Sequence, residues 1–333
     1  MGIPTIPRQL FNMEKKISFY VASCVPDGGV YLCELDVDGN VEMKKVISAP
    51  SPMWIEHVED GKLWVLMRAP FEDSPNSGVA KYDPVSGERI SNFLSTEGEV
   101  ACHMCLDGDD LYAANYISGS VWSSRGEVDK HSGKGVDPVR QTSPHVHSVF
   151  FSPDKKYILS CDLGIDKIFV YDRNMKLIST ADTPEGSGAR HLVFSKDGNF
   201  VYVISEMGAG IHTYAWSGNA LLHLCDTELL DEDVINGKGS AIRLSKDGRR
   251  LYVTERKTET ILVFSICGDK LTLLQRIPSR GKEPRDIMLI ANEDYAICAN
   301  QFGDCCSVYK ILNDGTLNYV RSFEIPAPIS IVE

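Results

Sequence analysis

The chain has no stretch approaching the roughly 18 consecutive apolar residues that a membrane-spanning helix requires. Its first 12 residues have no apolar central run and do not read as a secretion signal. Ile6 stands where a myristoylation site asks for Ser or Thr. Basic charge is in deficit: 34 Lys and Arg against 46 Asp and Glu in 333 residues leave a net charge of −12, which disfavours nucleic acid and anionic membrane as partners. There is no Walker loop, dinucleotide fingerprint or EF-hand loop. No Ser sits in a nucleophile elbow. These absences predict a cytoplasmic protein without a cofactor.

Cysteine is not scarce, but without an export signal the ten cysteines read as reduced, mostly structural thiols. The candidate metal ligands are Cys102-His103-Met104-Cys105 and Cys305-Cys306. Cys102 and His103 point to opposite faces of a strand, so no metal site is expected there.

What the chain does have is a repeat. Turn-forming acids return at Asp60-Gly61, Asp107-Gly108, Asp154, Asp197-Gly198, Asp247-Gly248 and Glu293-Asp294, in steps of 47, 47, 43, 50 and 46 residues. A period in the forties built from short strands predicts a propeller. Each turn sits between two apolar runs, as in His147 to Phe151 and Tyr157 to Ser160, the pattern of a β-hairpin. A third run and a weaker fourth follow, making four-stranded antiparallel blades.

Six such units leave a segment from residue 17 to 44 that lacks a strand before it, and a final run Ile329-Ser330-Ile331-Val332 that lacks a blade. The remainders complement each other. The expectation is an all-β, seven-bladed propeller over 17–333, closed by the N- and C-terminal strands, behind a loose tail at 1–16. Closure removes exposed strand edges.

A hairpin returns to the side from which it started, so inner-strand starts and second-strand ends share one face. Those positions hold His103, His145, His147, Arg190, His191 and Arg285, together with Arg68, Asn115, Asp162, Glu206, Arg256 and Asn300. Turn chemistry asks for Gly, Pro, Asn, Asp and Ser, not for His and Arg. The set therefore predicts a basic mouth suited to an anionic small molecule, with Asn115 and Asp162 as the members that tie blades together.

The segment 133–148, Gly-Lys-Gly-Val-Asp-Pro-Val-Arg-Gln-Thr-Ser-Pro-His-Val-His-Ser, resembles the signature of the seven-bladed propeller lactonases, the 6-phosphogluconolactonase family of that fold. Cys102-His103, Ala114-Asn115-Tyr116, Asp162-Leu163-Gly164, Ala189-Arg190-His191, Ser205-Glu206, Pro284-Arg285-Asp286 and Ala299-Asn300-Gln301 fit in order. The resemblance covers nearly the whole chain from Ile17 onward. It implies a carboxylic ester hydrolase opening 6-phospho-D-glucono-1,5-lactone in the oxidative pentose phosphate route. By the same resemblance His147, Arg190, Glu206 and Arg256 are the catalytic positions. Many members read Asn-Arg where this chain has Glu255-Arg256, and blades 1 and 2 match most loosely.

Lactone hydrolysis needs a base for water and donors for the developing oxyanion. Either His147 or Glu206 is the base, with a slight preference for His147, because two arginines weaken the basicity of a neighbouring carboxylate. Arg190 or Arg256 would then face the carbonyl oxygen. The other, with Arg285 and Arg140 or Lys134, would hold phosphate. His103, His145, Asn115 and Asn300 complete the expected binding set. The alternatives are a muconate-type cycloisomerase, a lactonase for an unphosphorylated sugar acid, and a non-catalytic binding propeller. Against the last, the Gly-His and Trp-Asp marks of WD40 scaffolds are missing. A monomer or small homo-oligomer is expected.

Overall fold

In the computed structural model, which describes residues 16–58, 60–68, 75–231 and 237–333, seven four-stranded sheets form one ring. Six sheets run outward in chain order from inner strands Pro52–His57, Ala101–Asp107, Val146–Phe151, Ala189–Phe194, Gly239–Leu244 and Pro284–Ile290, which open blades 2 to 7. Blade 1 is assembled from both ends of the chain. Its inner strand is Pro328–Val332, antiparallel to Ile17–Ser23 with Val21 opposite Ile331, so the strand missing from one end is supplied by the other, as the sequence predicts. The tail at 1–15 lies outside the described residues.

The hairpin turns follow from their residues. Gly61, Gly108, Gly198 and Gly248 occupy the left-handed region at φ 60–78°, where a side chain costs energy. In blade 4 Lys155 takes the same conformation, φ 56°. Polar turn residues alternate with runs such as Leu63–Met67, buried along their length, and the inward faces of neighbouring blades pack into continuous apolar clusters. One cluster joins Phe19, Val21 and Ile331 of blade 1 to Ile297, Cys306 and Val308 of blade 7, sealing the ring at its closure.

Asp226, Thr227 and Glu228 end the fourth strand of blade 5, Leu221–Glu228, and residues 232–236 beyond it lie outside the described residues. All ten cysteines are free.

Candidate active site

The site is made by one irregularity repeated around the ring. In blades 2 to 5 and 7 the inner strand carries a register shift at its second residue, leaving Met53, Cys102, His147, Arg190 and Arg285 unpaired between their neighbours. Such a bulge re-aims the extra side chain. Four of these five, all but Arg190, border a cavity of about 310 Å³ at one end of the ring axis.

The second strands contribute by alternation. Their last residues tie loops: Asn115 bonds Thr96 and Ser120; Asp162 accepts from His145 N, Gly164 N and His131 Nδ1; Asn300 Nδ2 donates to Ser279 O and Ser307 Oγ. The residue after each end turns the other way, because successive side chains alternate. Arg68, Tyr116, Glu206 and Gln301 occupy these next positions and line the cavity.

Glu206 is the hub. Its Oε1 accepts from Arg140 Nη2 at 2.6 Å, and its Oε2 lies 2.9 Å from Arg256 Nη2, 3.4 Å from Arg190 Nε and 3.7 Å from His147 Nε2. Burial opposes its ionisation, but Arg256, Arg190 and Arg285 outweigh burial and hold its carboxyl well below the usual range. Arg256 is braced from behind by Glu283, 2.8 Å away, and Arg190 by the Ser240 carbonyl at 2.7 Å.

His147, Glu206, Arg140 and Arg285 meet at the cavity, while Arg190 and Arg256 stand behind Glu206, buried and outside the lining. His145 lies beside it, stacked on Tyr116 at 4.6 Å. His103 is not at the mouth: it packs 4.1 Å from Trp54 and 5.1 Å from His191 in the axial core, because the bulge at Cys102 sends the following residue inward. Asn115 and Asn300 are likewise drawn away, held by the loop bonds above. Lys134 is exposed and does not line the cavity.

Burial, followed by the charge of Arg190, drives the His147 imidazole well below its ordinary pKa, so it is neutral near pH 7. Cys102 is no nucleophile: burial pushes its thiol up to about 12, and its Sγ donates to His147 O at 3.1 Å. Arg140 is presented by a turn in which Asp137 Oδ1 accepts from Val139 N and Arg140 N, anchored by buried Gln141 bonding Leu163 O and Asp166.

Arg68 and Arg285 were expected from their strand positions, yet only the structure sets them apart. Among the described residues, neither guanidinium makes a hydrogen bond or ion pair with protein, although both face the cavity. Arg285 is half-buried, where a cation without a partner is costly and an anionic ligand relieves that cost, whereas Arg68 is exposed at the rim.

Among the described residues no helix is long and apolar enough to cross a membrane. The chain matches the family described as Lactonase, 7-bladed beta-propeller over residues 18–333. It is 28% identical over 347 residues to the 6-phosphogluconolactonase of Bacillus subtilis, covering 94% of this chain and 97% of that one. Among solved structures, a protein from Lactobacillus plantarum superposes with a TM-score of 0.88 at 25% identity, over 96% of this chain and 99% of that one. The periplasmic gluconolactonase PpgL of Pseudomonas aeruginosa gives 0.84 at 27% identity, with the same coverage. The bulged inner strands, the Glu206 hub and a match spanning all seven blades lead to one conclusion: this chain belongs to the seven-bladed β-propeller lactonases.

Proposed function

We propose that the protein hydrolyses 6-phospho-D-glucono-1,5-lactone to 6-phosphogluconate. The observation that carries this reading is the pairing of a neutral, buried His147 with two unpartnered guanidiniums, Arg68 and Arg285, around one cavity. The Bacillus subtilis relative, a 6-phosphogluconolactonase, supports the substrate class.

In this reading water attacks the ring carbonyl and gives its proton to His147. Arg285, whose charge is felt at both His147 and Glu206, faces the developing oxyanion. Glu206 stabilises the imidazolium as it forms. Collapse of the tetrahedral intermediate breaks the carbonyl–ring oxygen bond, and His147 returns its proton to the leaving alkoxide. Arg68 and Arg140, nearer the solvent, hold the phosphate, where a planar guanidinium suits the oxyanion. Arg190 and Arg256 position Glu206 and do not touch substrate, a different role from the one expected of them on sequence.

The test is the rate of lactone disappearance above spontaneous opening, with the phosphorylated lactone and with glucono-1,5-lactone. Strong preference for the phosphorylated lactone supports the proposal. Equal rates would favour a gluconolactonase, the activity named for the Pseudomonas aeruginosa neighbour. No acceleration of either, from folded protein, would overturn the hydrolase reading.

A further inference from the structure

Blade 5 carries a second cluster of chemistry-bearing side chains outside the lactone cavity. His212 lies on its third strand, Gly210–Trp216, and His223 and Asp226 on its fourth, Leu221–Glu228. His212 Nδ1 and His223 Nε2 each approach the same oxygen, Asp226 Oδ1, at 2.7 Å. The three ligand-type atoms lie within 4.8 Å of one another.

Residues three apart on a regular strand face opposite ways. A register shift between Thr213 and Tyr214 sets His212 opposite Asp226 and Tyr214 opposite His223, with one extra residue between, and this brings 223 and 226 to one face. Blades 4, 6 and 7 have the same shift. There the matching positions are Phe169, Leu177 and Thr180, then Leu262, Leu273 and Arg276, then Ser307, Tyr319 and Ser322. The fold therefore does not ask for two imidazoles and a carboxylate, so their convergence in blade 5 calls for another explanation.

The surroundings resemble the outer shell of a metal centre. The remaining nitrogen of His212, Nε2, is 3.2 Å from Ser205 Oγ. That hydroxyl is itself fixed, accepting from Gly210 N at 3.1 Å, so the ring has a partner that sets its tautomer and leaves Nδ1 to ligate. The His223 ring packs edge-on to Tyr214 at 5.3 Å. His212 is buried, whereas His223 and Asp226 are each 41% exposed, which leaves a route for an ion and room for solvent ligands.

We propose that blade 5 holds a zinc-type divalent cation through His212 Nδ1, His223 Nε2 and Asp226, with solvent completing a tetrahedron. Imidazole with carboxylate suits zinc and its borderline neighbours better than magnesium or calcium. Ligand atoms around tetrahedral zinc are about 3.3 Å apart, following from bonds near 2.05 Å. The two exposed side chains need open by less than about 1 Å from their present 2.7 Å contacts to reach it.

The test uses the full chain, reduced and stripped with chelator, titrated with Zn²⁺ by calorimetry and with Co²⁺ by absorbance. One equivalent should bind per chain, with a cobalt spectrum lacking thiolate charge-transfer bands. His223→Ala and Asp226→Asn should each weaken binding at least tenfold while leaving the metal-free lactonase rate and thermal midpoint unchanged. No stoichiometric binding, thiolate bands, or affinity that both variants retain would overturn the site. None of these outcomes depends on the identity of the lactone.

Discussion

Arg140 Nη2 lies 2.6 Å from Glu206 Oε1, joining the loop between blades 3 and 4 to the residue that follows the second strand of blade 5. With Arg256 and Arg190 at the other oxygen, beside the neutral His147, Glu206 neutralises three guanidiniums that would otherwise repel one another in the interior. Glu206→Gln keeps the shape and removes the charge. Breaking a buried ion network from one side costs about 3–5 kcal/mol, so the urea midpoint should fall accordingly. A loss below about 1 kcal/mol would show that the cations do not need this carboxylate.

The phosphate contact proposed for Arg68 is separable from the proposed chemistry. Arg68→Ala should raise KM for the phosphorylated lactone about tenfold, the scale of one charge-assisted contact, and leave glucono-1,5-lactone turnover unchanged. An equal effect on both lactones would remove Arg68 from the phosphate subsite. Arg285→Ala should instead lower kcat for both substrates by about 10²-fold, as loss of an oxyanion donor does.

Much of this architecture is legible in the sequence. The acid turns fix the blade count, and the unmatched run at 329–332 announces the closing strand because a propeller blade is four strands and one blade has three. The mouth is legible only in outline. Strand-end arguments place Asn115 and Tyr116 on the same face of the ring, but a one-residue offset decides that Asn115 ties a loop and Tyr116 meets the cavity. The bulges at Cys102, His147, Arg190 and Arg285 leave no mark in local composition, so although alternation sends Cys102 and His103 opposite ways, which of them meets the cavity and which enters the axial core belongs to the backbone alone. Glu283 escapes a sequence reading because its role exists only through Arg256, 27 positions earlier.

The acid stability of the fold follows from three axial imidazoles. His103, His147 and His191 are all held well below the ordinary histidine range, by burial first and then by neighbouring arginines. A base whose folded pKa is depressed binds its proton more readily when unfolded, so stability is present above about pH 6.5 and is lost as pH falls through that value. Glu56, pushed up to about 7 by burial, works the other way over part of the window. Three imidazoles against one carboxyl leave a net uptake of protons on unfolding, so stability falls on acidification. Urea midpoints at pH 7.5, 6.5 and 5.5 should fall on acidification; flat or rising midpoints would contradict the buried neutral histidines.

Ring closure depends on the last strand. Ile331 is 2% exposed and packs between blades 1 and 7, so Ile331→Ala should cost about 2–5 kcal/mol, read from the thermal or denaturant midpoint. A cost typical of a surface substitution would mean that the terminal strand does not seal the ring.

The central claim is that a neutral His147 accepts the proton of the attacking water. The direct measurement is the pH profile of kcat/KM on freshly generated 6-phosphoglucono-1,5-lactone, for wild type and His147→Ala side by side. The account predicts an acidic limb below pH 6.5, since the imidazole is depressed, and a loss of 10²- to 10⁴-fold with that limb abolished in the variant. A variant that keeps wild-type turnover and the same limb would contradict it.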